Sequence, residues 1–185
     1  MVLSKPELES AVDAFIQFNE FWENLHATNP AARCIKGPRL PELISESIVY
    51  HMVSDGIIPT LSLDDEDSLI HSAKAEKYKT KNGWSGRRRN NTDLIIQKAS
   101  GRQILIEVKA TQKRYTELKE KDVEADYLIW LEFNETFRNG GNKTIELSIV
   151  VPDVEMRARQ WNWKAYHDKF TSAEVLKFDN LESII

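Results

Sequence analysis

Leu8, Val12, Phe15, Phe18, Trp22 and Leu25 recur at intervals of three and four residues, the spacing that gathers side chains on one face of a helix. Ser4-Lys5-Pro6-Glu7 precedes them with the form of a helix start, a capping serine with glutamate three residues on and proline in the first turn. The pattern predicts an amphipathic helix over 5–27, stopped at Asn29-Pro30. Its apolar stripe packs on the domain or serves a subunit interface. After the break Gly37-Pro38-Arg39-Leu40-Pro41, a second helix is predicted from Glu42 to Ser54. Its apolar residues are Leu43, Ile44, Ile48, Val49, Met52 and Val53, and Asp55-Gly56 closes it.

Further along, the period turns strand-like. Thr92-Asp93-Leu94-Ile95-Ile96-Gln97 and the run from Gln103 to Ala110 flank Lys98-Ala99-Ser100-Gly101-Arg102, a turn signal between two apolar arms. A three-residue loop Ala99-Ser100-Gly101 puts the glycine where a left-handed residue is needed. Lys98 then faces Arg102, and counting back sets Asp93 across from Glu107. Asp126 to Phe133 is a strong strand, Arg138 to Asn142 a turn, and Thr144 to Val151 another strand ended by Pro152. Ile57 to Leu63, interrupted by Pro59, and Ala73 to Lys79 compete to be the first sheet strand. Tyr115 to Glu124 is polar and helix-prone, and Val154, Ala158, Trp161 and Ala165 predict a last helix. Helices alternating with strands predict an α/β fold with a central mixed sheet flanked by helices. The expected organisation is one domain over 1–185, with the N-terminal helix at 5–27, a core at about 41–133 and a C-terminal strand and helix at 144–170.

Composition changes this picture little. The 185 residues are 41% hydrophobic and 29% charged, as in an ordinary globular chain. No apolar run follows a basic start, so no signal peptide is expected, and no stretch has membrane-spanning length. Cys34 is the only cysteine, which excludes an intrachain disulfide and a cysteine zinc cluster and fits a reducing cytoplasm. His26, His51, His71 and His167 show no zinc-ligand spacing. The chain has no GxSxG elbow, P-loop or dinucleotide fingerprint. Trp161 and Trp163 are read as core or interface residues.

Charge is more informative in its distribution than in its sum of −4. Asp64-Asp65-Glu66-Asp67 is an acidic block. Lys74, Lys77, Lys79, Lys81, Arg87, Arg88 and Arg89 then stand against the single acid Glu76, in a segment that runs straight into Asp93. Such a run is a solvated loop or a phosphate-binding one, and its abutment on Asp93 favours phosphate.

Alternation along the second arm puts Glu107 and Lys109 on one face and Val108 on the other. Two carboxylates at cross-strand distance repel. A divalent cation reverses that penalty, and oxygen-only ligands suit Mg²⁺. Glu107-Val108-Lys109 alone is a weak signal, since Glu117-Leu118-Lys119 repeats its form. In the setting of Ile104-Leu105-Ile106, the opposed Asp93 and the basic lead-in, the stretch resembles the PD-(D/E)xK nucleases over roughly residues 41 to 133. Thr92 stands where that motif has proline.

The resemblance implies a restriction-endonuclease-like core and Mg²⁺-dependent hydrolysis of double-stranded DNA to a 5′-phosphate and a 3′-hydroxyl. Asp93 and Glu107 would hold the metal, with the Val108 carbonyl, and Lys109 would orient the attacking water. The resemblance also implies a glutamate on the preceding helix, Glu46 with Glu42 in reserve, and gives Gln112 a site role beside its alternative as a helix cap. Expected DNA contacts are Lys81, Arg87, Arg88, Arg89, Asn90, Asn91, Gln112, Lys113, Arg114 and Tyr115. Lys119 to Trp130 resembles framework downstream of the active site in small restriction endonucleases. The reading is a type II restriction endonuclease, a homodimer matching a palindromic site, with a cognate DNA methyltransferase in the host. A structure-selective nuclease on the same core and a non-enzymatic DNA-binding domain are the alternatives.

Overall fold

The computed structural model describes residues 2–29, 31, 39–72, 79–80, 83–84, 92–111, 115–118, 122, 124–152, 163–166 and 172–185. Helix α1 (Lys5–Thr28) opens where the sequence signals it. Glu7 Oε2 accepts from the Ser4 amide at 2.8 Å and from the Ser4 hydroxyl at 2.7 Å, a capping arrangement that satisfies donors the helix cannot. Its buried side runs through Leu8, Val12, Phe15, Ile16 and Asn19. Phe18, counted in the expected stripe, is exposed instead, because Ile16 and Asn19 fall on the side turned to the domain.

Helix α2 (Glu42–Ser54) has the predicted bounds and is buried from Ile44 through Val49 and again at Met52 and Val53. Gly56, at φ +71°, donates to the Val53 carbonyl while Ile57 donates to that of Met52. This paired capping of the last carbonyls needs a residue that tolerates a left-handed backbone.

The main sheet has six strands: β1 (Ser68–His71), β4 (Leu94–Gln97), β5 (Gln103–Thr111), β7 (Tyr127–Glu132), β8 (Ile145–Val150) and β10 (Ser172–Phe178), adjacent in that order. Only the β5–β7 pair is parallel; the other four are antiparallel. The sheet is therefore mixed, as expected for an α/β chain. Two short ribbons stand outside it, β2 (Lys79–Thr80) with β3 (Gly83–Trp84), and β6 (Tyr115–Leu118) with β9 (Trp163–Tyr166). Leu94, Ile96, Ile106, Val108, Ile129, Leu131, Leu147 and Ile149 point to one face and join α1 and α2 in a single core. A short helix α3 (Asn134–Arg138) adds Phe137, whose ring meets Phe15 edge-on with centroids 4.9 Å apart.

Several expectations are corrected. Ile57 to Leu63 is no strand; Pro59–Leu61 forms a 3₁₀ turn. Pro59 lacks a ladder donor and its fixed φ suits a first turn, and the turn drops Ile58 and Leu61 into the core. The first sheet strand is Ser68–His71; of its competitor, residues 73–78 lie outside the described residues. Tyr115 to Leu118 is extended rather than helical, because Trp163–Tyr166 offers it an antiparallel partner. That same strand replaces the end of the expected last helix, whose residues Val154, Ala158 and Trp161 lie outside the described residues, as does Cys34. Strand β10, unforeseen, pairs with β8. Among the described residues no helix is long and apolar enough to cross a membrane.

The β4–β5 hairpin follows the expected register. Leu94 pairs with Ile106 and Gln97 with Gln103, the Lys98 amide donates to the Arg102 carbonyl at 2.9 Å, and Gly101 sits at φ +86°. The acidic block anchors its tip. Lys98 Nζ lies 2.6 Å from Asp67 Oδ2, and the Ala99 amide donates to Asp67 Oδ1 at 3.2 Å. That ammonium, first among several donors, holds the Asp67 carboxyl below its usual range. A Cβ at residue 101 has open space around it, so Gly101→Ala tests backbone conformation alone. It is expected to lower stability by about 1 kcal/mol, read as a shifted urea midpoint with unchanged slope.

Candidate active site

Asp93 stands one residue before β4, where the chain leaves the regular ladder. The partner of Ile106 is Leu94, yet it is the Asp93 amide that reaches the Ile106 carbonyl, at 3.1 Å. Such a departure re-aims a side chain. The Asp93 carboxylate bends onto β5, where its Oδ2 accepts from the Val108 amide at 2.9 Å. The paired register ends at Leu94 and Ile106, short of the expected Asp93–Glu107 pair, yet Asp93 stays near enough to Glu107 for its charge to act on that carboxyl.

Glu107 and Lys109 occupy the sheet face opposite the helices, beside the buried Leu128 and Trp130 of β7. Glu107 is fully buried and Asp93 is 2% exposed. Lys109 Nζ lies 2.5 Å from Glu107 Oε1 and 3.2 Å from Asp122 Oδ1. Lys109 thus stands between two buried carboxylates, with the Asp93 charge acting on it from further off. Burial, then the Asp93 charge, pushes the Glu107 carboxyl up to about 8, with Lys109 drawing it partly back. For Lys109 burial pulls downward, but Glu107 and Asp122 outweigh it and leave the ammonium above its ordinary value.

This donor set fits a hard divalent cation. Two neighbouring buried carboxylates, one raised well above its normal range, gain most from a charge of opposite sign. Among the described residues no three His, Cys, Asp or Glu side chains converge as a metal-binding group. Asp93, Glu107 and the Val108 carbonyl could hold such an ion, as a sparse set of the kind Mg²⁺ completes with water and substrate phosphate.

Glu46 belongs to the helical layer, on α2. Its Oε2 lies 2.7 Å from His71 Nε2, both side chains being 8% exposed. His71 pairs with Leu94, and the amide of Ser72 donates to the Asp93 carbonyl at 2.8 Å. Glu46 is therefore linked to Asp93 through His71 and the edge of β1. Glu42 is exposed at the start of α2.

Asp122 was missed in the sequence, where it belongs to a stretch read as framework; its neighbours give no spacing that singles it out. Of the expected DNA contacts, Lys81, Arg87, Arg88, Arg89, Asn90, Asn91, Gln112, Lys113 and Arg114 lie outside the described residues. Tyr115 begins β6. Comparisons with protein-family models, curated proteins and solved structures found no match.

The raised Glu107 carboxyl has a measurable sign. From its ordinary 4.5 up to about 8, the folded protein binds a proton there that the unfolded chain has released, so stability from this site falls as pH rises. Without divalent cations, the thermal midpoint of the wild type is expected to lose ground to that of Glu107→Gln across this window. Parallel curves for the two proteins would contradict the assignment.

Proposed function

We propose that this chain is a Mg²⁺-dependent nuclease of the PD-(D/E)xK type, with a restriction-endonuclease-like core, acting on double-stranded DNA. The observation that carries the reading is the burial of Asp93 and Glu107 near one another at the β4–β5 hairpin, with Lys109 paired to Glu107. Charges that only decorate a surface have no reason to be desolvated in this way. The non-enzymatic alternative loses weight accordingly.

In this reading Asp93 and Glu107 bind the cation, joined by the Val108 carbonyl. Bound there, Mg²⁺ supplies Lewis acidity toward the scissile phosphate and makes water a better nucleophile at neutral pH. Lys109 orients the water and offsets the developing negative charge. The Val108 amide keeps the Asp93 carboxylate aimed. Glu46, through His71, supports the edge strand beside Asp93. The basic segment containing Arg87, Arg88 and Arg89 leads the duplex backbone toward the site.

The finer reading is a type II restriction endonuclease acting as a cytoplasmic homodimer, with a cognate methyltransferase. Helix α1 leaves Phe18 and Phe21 exposed at 50% and 60%, a surface available for subunit contact. Incubation of mixed plasmid and phage DNA with Mg²⁺, wild type beside Asp93→Ala, tests the assignment. Discrete bands lost in the variant are expected. A smear lost in the variant replaces restriction by structure-selective or nonspecific cleavage, and intact DNA with the wild type overturns the nuclease.

Lys109→Ala is expected to lower the cleavage rate by about 10²–10³-fold while DNA binding in a gel-shift assay persists; equal loss of both contradicts its role. Neutralising Arg87, Arg88 and Arg89 should weaken binding and flatten its logarithmic salt dependence by about 0.9 for each phosphate contact removed.

A further inference from the structure

We propose that Asp122 is the positioning residue for Lys109, the carboxylate that retains the ammonium when a metal ion takes Glu107. The inference rests on the nuclease reading of the same site. Lys109 Nζ stands between two buried carboxylates, 2.5 Å from Glu107 Oε1 and 3.2 Å from Asp122 Oδ1, and the Asp122 side chain is 1% exposed.

The nearer carboxylate belongs to a proposed metal ligand. A cation held by Glu107 competes with Lys109 for the same group and repels the ammonium besides. A lysine side chain is flexible and strongly hydrated, and without a second anchor it would swing out of place once displaced. Asp122 supplies that anchor from a different part of the chain. It lies between β6 and β7, whereas the metal ligands belong to the β4–β5 hairpin, so removing it leaves their backbone untouched.

Lys109 bridges Glu107 and Asp122; with a cation on Glu107, Asp122 would keep the ammonium in place. Asp122 touches neither metal nor phosphate and acts only through Lys109. Supporting partners of this kind are typically worth about 10–100-fold in affinity or rate.

A double-mutant cycle on full-length protein separates this role from a general effect of charge. Mg²⁺ affinity is measured by titration calorimetry for the wild type, Asp122→Asn, Lys109→Met and the double variant. Asp122→Asn alone is expected to weaken Mg²⁺ binding by about 10-fold, because Lys109 is left to compete for Glu107 without another partner. In the Lys109→Met background the same change should have little effect. Additive effects overturn the proposal, since Asp122 would then act on the metal directly or by long-range charge.

In parallel, Asp122→Asn should lower kcat for DNA cleavage with KM for DNA unchanged, and Asp122→Glu should restore part of it. Loss of KM and thermal midpoint together, with no rescue, marks a structural residue and overturns the proposal. If Asp122→Asn does not fold, Asp122→Ser, which also removes the charge, takes its place in the cycle, where additivity is again the overturning result. Coupled Mg²⁺ binding without DNA cleavage would refute the nuclease and leave the Lys109–Asp122 coupling standing. Cleavage with additive binding would do the reverse. A wild type that binds no Mg²⁺ refutes both.

Discussion

Like charges buried together around a single ammonium are the constraint on which the site depends. Asp93, Glu107 and Asp122 are each almost fully withdrawn from water, with Lys109 between two of them. One ammonium does not neutralise three carboxylates, and the Glu107 carboxyl, raised to about 8, shows where the excess is felt. A hydrophobic core has no use for such a group, since desolvating charge without full compensation is destabilising. Natural sheets carry local conflict of this sort where function requires it.

The scaffold meets that constraint by dividing the sheet between two tasks. The face carrying Leu94, Ile96, Ile106 and Val108 builds an ordinary apolar core with α1 and α2, while the other face of β5 carries Glu107 and Lys109. Val108 belongs to both, its side chain packed in the core and its amide holding Asp93. Stability from one face can thus support strain on the other. The hairpin register is set at its far end, where Gly101 turns the chain and Asp67 clamps Lys98 and Ala99, while at the near end the Val108 amide draws Asp93 onto β5. The acidic block, which in the sequence reads only as a run of like charge, helps to hold a pairing register several residues away.

Much of this was legible in one dimension because it is local. A two-residue period and a turn glycine specify which residues of a hairpin face each other, so Asp93, Glu107 and Lys109 could be grouped from spacing alone. Helix α2 was equally plain, with an apolar run between a proline break and a closing Asp55-Gly56. The elements misread are those whose conformation depends on a distant partner. Tyr115 to Leu118 lies in a stretch whose local composition is helix-prone, and becomes a strand because Trp163–Tyr166 lies beside it.

What the sequence determined by itself, then, is the hairpin, the two long helices and the mixed α/β character, each encoded by periodicity and capping within a few residues. Only the tertiary structure decided that Asp122 would meet Lys109, that Glu46 would be held by His71, and that Phe18 would face outward while Asn19 is buried. Those contacts join segments far apart in the chain, and side-chain type and spacing carry no record of which segments come together. Burial of the whole set of charges is likewise a property of the packed sheet, since it is the surrounding layers that exclude water from it.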